Sequence, residues 1–143
     1  MRFVFAALAM CLAAAAHPAG PDMRDGLWEI TVKMDMPGMP ATMPPQTIRQ
    51  CVTKRDLEDL RKMTPSTGMG DARCEVSDYR VQENMARWNW RCKGEEAASG
   101  TTTMTFSRNT YSGTNQMSMK PRGAPAQSMT MHYAGKYLGP CQQ

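Results

Sequence analysis

The sequence predicts a single-domain, mainly β protein: one antiparallel sheet, curled as a barrel or sandwich over one core, with one short helix and two disulfides. Three observations carry this. Apolar and polar residues alternate with a period of two in five separate segments, Gly, Pro and Asn turns divide those segments, and a chain of 143 residues has room for one ordinary domain.

Residues 1–16 read as an export signal. Arg2 supplies the positive start, Phe3 to Ala15 is an unbroken apolar run, and Ala14-Ala15-Ala16 offers small residues for cleavage before His17. The run is too short to span a membrane. The expected product is a periplasmic or secreted domain of residues 17–143, with no transmembrane span.

In Leu27 to Met36, Trp28, Ile30, Val32, Met34 and Met36 share one face and Glu29, Thr31, Lys33 and Asp35 the other, as a half-buried strand requires. Pro37 to Pro45 follows, rich in Pro and Met and extended. A helix is expected from Lys54 to Lys62, with Thr53 as N-cap, Asp56 near its positive end, and Leu57 and Leu60 as an apolar stripe. Thr64 to Arg73 reads as a Gly-containing loop. Four more alternating segments follow: Ala86, Trp88, Trp90 and Cys92; Thr102, Met104 and Phe106; Tyr111, Met117 and Met119; and Met129, Met131 and Tyr133.

Beyond residue 16, Leu, Ile, Val and Phe number only 11, a composition that alone would suggest disorder. Thirteen Met, three Trp and four Tyr supply apolar area instead, and Cys51, Cys74, Cys92 and Cys141 are even in number in an exported chain. A three-residue loop at Gln82-Glu83-Asn84 would set Val81 opposite Met85, and Cys74 then falls opposite Cys92 on the same face. That pairing leaves Cys51 to join Cys141.

Several stretches together resemble a known family: Gly26-Leu27-Trp28-Glu29, Met36-Pro37-Gly38-Met39-Pro40, Gln50-Cys51, Cys74 and Cys92 around Trp88, Tyr111-Ser112-Gly113, and Gly135 through Cys141. The chain is similar to the bacterial exported family called domain of unknown function 3617. The resemblance implies an exported, cysteine-bearing single domain and brings no catalytic residue with it.

The inventory of reactive side chains argues against an enzyme. His132 follows no nucleophile motif, and four paired cysteines leave no thiolate. A net charge of +4, with no run of like charges, argues against nucleic-acid binding. Methionine is the sharper signal. Met34 and Met36, Met117 and Met119, and Met129 and Met131 are each two apart on strands, so each pair shares a face. These pairs are expected to serve mainly the core, with Met36, Met39 and Met43 of the Pro-rich loop contacting a small molecule, protein or envelope component. No cofactor is expected on that reading. The alternative is copper handling, since thioethers select Cu(I) and survive an oxidising compartment.

Overall fold

The computed structural model describes residues 21–38, 43–63, 73–93 and 97–142. The export signal, Met39 and the stretch 64–72 therefore lie outside the described residues. The elements run β1 Gly26–Asp35, β2 Gln46–Val52, α1 Lys54–Glu58, a 3-10 segment Leu60–Met63, β3 Arg73–Gln82, β4 Met85–Lys93, β5 Ala97–Phe106, β6 Thr110–Lys120 and β7 Gln127–Gly139. All seven strands form one antiparallel sheet in the order β2-β1-β7-β6-β5-β4-β3, which is not closed.

The expected alternation appears strand by strand. Trp28 and Ile30, Ala86 and Trp88, Met104 and Phe106, and Tyr111 and Tyr133 are buried on the same face of the sheet. Short segments after β2 cap that face. Thr53 and Asp56 exchange hydrogen bonds in a capping box, which satisfies backbone donors at the start of a helix too short to persist alone. The helix ends at Glu58, earlier than the expected Lys62, and the chain tightens into the 3-10 segment that buries Leu60 completely.

Arg61 at the end of this stretch lies over the Tyr79 ring, 5.1 Å from its centroid. Tyr79 belongs to β3, the edge strand opposite β2. In a flat sheet six strand spacings would separate those edges by about 29 Å, of which the backbone from Thr53 to Arg61, with a helical turn in it, covers only about 18 Å, so both side chains would have to be fully extended toward each other. The sheet is therefore curled, with the aromatic core in its concavity.

Glycines on the concave face admit that core. A Cβ at Gly135 would overlap the Tyr111 ring, and one at Gly100 would lie 2.7 Å from Trp90 Cζ2. Tyr111 thus lies across the β7 backbone and meets Trp28 at 5.6 Å between ring centroids. Bare backbone beside an aromatic ring favours tight curvature, because the ring covers what the glycine leaves open.

Two expectations need correction. First, β2 gave no alternation signal: six of its seven residues are exposed, because it is an edge strand bonded only to β1. Second, the β3–β4 hairpin turns through two residues, Glu83 and Asn84, since Gln82 pairs with Met85. Glu83 takes the left-handed conformation there at φ 50°. A register shift between Ser77 and Arg80, with Asp78 at φ 54°, then restores the register that a three-residue loop would have given. Cys74 and Cys92 do face each other and are bonded, and Cys51 is bonded to Cys141.

Candidate functional site at the methionine end of the concave face

Strand register gathers the three methionine pairs, Met34 with Met36 just past β1, Met117 with Met119 and Met129 with Met131, at one end of the concave face. Met34 stands opposite Met131 and Met117 opposite Met129. Met36 is the next inward position after Met34, and Met119 the next after Met117. Met117 is 5% exposed, Met131 is half-buried and packed against the aromatic core, and Met34, Met36, Met119 and Met129 are half-buried. They differ because α1 and the 3-10 segment cover the aromatic end of the concavity, which takes in Trp28, Leu60 and Phe106, and leave the methionine end less covered.

On the same face, Asn115 beside Met131 and Thr102 beside Trp88 form a cross-strand polar pair, each fully buried. Trp90 Nε1 donates to Asn115 Oδ1 at 3.1 Å. An indole N–H can only donate, so this contact fixes which end of the amide is oxygen. Thr102 Oγ1 has no hydrogen-bond partner, and the Asn115 Nδ2 group faces the Tyr133 hydroxyl oxygen without a well-aligned hydrogen bond. Tyr133 stands beside them and donates its hydroxyl hydrogen to Met131 Sδ at 3.4 Å. Burial raises the Tyr133 pKa, and the neighbouring Asn115 amide offsets part of that rise.

No Asp, Glu, Lys or Arg side chain of β1, β2 or β4–β7 faces inward. The charged residues alternate onto the convex face, where Arg49 pairs with Glu29 at 3.3 Å and His132 with Asp35 at 3.0 Å. A groove of about 680 Å³ along β3–β5 is lined by Ser77, Asp78, Asn89 and Thr101 among others. Asn89 donates to Asp78 and accepts from Thr101, so these polar groups satisfy one another and need no ligand.

The family model described as "Protein of unknown function (DUF3617)" matches residues 23–141. The chain belongs to this family. No curated protein and no solved structure matches it. Among the described residues of this family member, no three His, Cys, Asp or Glu side chains gather to hold a metal ion, and no helix is long and apolar enough to cross a membrane.

Of the methionines expected in the Pro-rich contact loop, Met39 lies outside the described residues. Met43 is 44% exposed and Met36 belongs with the strand methionines. Asn115 and Thr102 were not among the site residues the sequence singled out. Their signal was present: both occupy apolar-face positions of alternating strands, where a polar residue needs a reason.

Proposed function

We propose that this protein is an exported, non-catalytic binding domain whose ligand lies against the methionine end of the concave face. One observation carries this reading: five methionines gathered at one end of the sheet stay half-buried, beside a fully buried Thr102 whose hydroxyl has no partner. A core closed for stability alone would cover the thioethers and pair that hydroxyl, because an unmatched buried group costs about 1–3 kcal/mol. Methionine suits such a site. Its unbranched, polarisable side chain repacks around irregular apolar shapes.

The test is to purify the protein from its own cellular fraction without detergent, then measure its mass, its metal content and any extracted small molecule. An N-terminus near His17 and a bound apolar molecule are expected. Retention of residues 1–16, or recovery without any ligand that displaces on the methionine face, would contradict the reading.

A second reading, Cu(I) binding, is favoured by the facing pairs Met34 with Met131 and Met117 with Met129. These place soft ligands on neighbouring strands. Anaerobic Cu(I) titration against a competing chelator separates it from the first: tight uptake lost on Met-to-Leu substitution of these four would select copper.

A further inference from the structure

On the face opposite the methionines, we infer a second binding surface, for an acidic oligosaccharide laid along the β3–β5 groove and anchored by Arg80, Arg87 and Arg91. It stands independently of the methionine end.

Charge distribution is the first observation. None of the chain's 13 acidic residues lies on β4, β5, β6 or β7. After Asn84 the sequence has only Glu95 and Glu96, in the β4–β5 turn outside the described residues. Arg87 and Arg91 alternate with the buried Ala86, Trp88 and Cys92, so both stand on the convex face, and register sets Arg80 directly opposite Arg87. Like charges directly opposed destabilise a strand pair. Among the described residues, none of these three guanidinium groups has an ion-pair or hydrogen-bond partner.

Hydroxyls continue the arginine rows across the sheet. Arg91 faces Ser99, which faces Ser118; Arg87 faces Thr103, which faces Thr114. A sugar's hydroxyls both donate and accept, as those of Ser and Thr do, and a carboxylate on the sugar takes the bidentate guanidinium contact. Nucleic acid would need aromatic side chains for its bases, and β5 and β6 present none on this face. An acidic peptide would engage the arginines and leave the hydroxyl rows unused.

The groove supplies the shape. It encloses about 680 Å³, with Arg91 on β4 between Glu75 and Asp78 of β3 and Ser99 and Thr101 of β5. Both of those carboxylates are already engaged, Glu75 by Lys93 and Asp78 by Asn89. Arg87 lies four residues from Arg91, about 13 Å along β4, so acidic groups on separate sugars reach the two anchors.

Calorimetric titration of the full chain with hexagalacturonate tests this, beside maltohexaose, a single-stranded oligonucleotide and polyglutamate. Hexagalacturonate is expected to bind most tightly, and Arg87→Gln and Arg91→Gln each to lower its affinity about tenfold. Thr103→Val keeps the branched shape, removes one hydroxyl and is expected to lower that affinity about fivefold. The free Arg87→Gln protein should melt no lower than the parent, since the repulsion from Arg80 is relieved.

Equal binding of maltohexaose would overturn the acidic assignment. Tighter binding of the oligonucleotide or polyglutamate, or an affinity that the arginine variants lower and Thr103→Val leaves unmoved, would reduce the surface to plain anion attraction and overturn the sugar. If no probe binds, the inference falls, while the methionine end, on the other face, is decided by its own test.

Discussion

Replacing Gly135 by Ala tests how the curled sheet holds its core. The added Cβ would overlap the Tyr111 ring, which is 5% exposed and lies between Trp28 at 5.6 Å and Phe106 at 6.4 Å by ring centroid. Gly135 is not in the left-handed region, so backbone strain does not enter, and Ala there would by itself stabilise by about 0.4–1 kcal/mol. Against this stand about 1–3 kcal/mol for forcing the ring aside and about 0.5–1.5 kcal/mol for each aromatic contact it loosens. The net is a loss of about 1–5 kcal/mol, centred near 3 kcal/mol, or roughly 10 °C in melting temperature for a domain of this size. Urea unfolding of Gly135→Ala in the parent and in a Tyr111→Leu background forms a double-mutant cycle. The shorter Leu leaves room, so the cost of the alanine should fall below about 0.5 kcal/mol there. An equal cost with Tyr or Leu at position 111 would refute the idea that ring over backbone shapes the sheet.

Burial raises the pKa of Tyr111 and, to a lesser extent, of Tyr133. The unfolded chain therefore releases these protons at lower pH than the fold does, and stability should fall as pH rises above about 10. Tyr111→Phe should flatten that fall in a pH series of urea midpoints, and an unchanged slope would count against the burial. The Cys51–Cys141 bond links residues 90 apart and Cys74–Cys92 residues 18 apart. Removing the first by paired Ala substitution should cost roughly 4.5 kcal/mol and the second roughly 3 kcal/mol in the chain-entropy model, an order that chemical denaturation can check. Met117→Ala should cost about 2–5 kcal/mol as a buried truncation, while Met43→Ala should stay within about 0.5 kcal/mol.

Period-two alternation made β1, β4, β5, β6 and β7 legible, because each has one face on the core and one in water. It failed at β2, where Ile48 is 43% exposed and the backbone, rather than side-chain burial, holds the strand in place. At the β3–β4 hairpin the turn length was misread and the cysteine pairing still came out right, since the bulge near Asp78 compensates the shorter turn. Bulges depend on local backbone conformation and leave little trace in sequence.

The site was partly legible. Pairs of methionines two apart placed three small groups on strand faces. Only the order of strands, with β1 beside β7 and β7 beside β6, could show that the groups meet at one end of the concavity. Spacing likewise cannot show how far the cover over that face extends. The half-burial of Met129 and Met131 is therefore a property of the assembled sheet, as is the pairing of Asn115 with Thr102.

The most direct test of the methionine end as a ligand site is a carbon–proton spectrum of the protein labelled at its methionine methyl groups, recorded while the small molecule extracted from the purified protein is added back. The methyls of Met34, Met36, Met119, Met129 and Met131 should shift together and saturate, with Met43 unmoved. Shifts confined to Met43, or saturating binding that leaves the five strand methyls in place, would contradict the account.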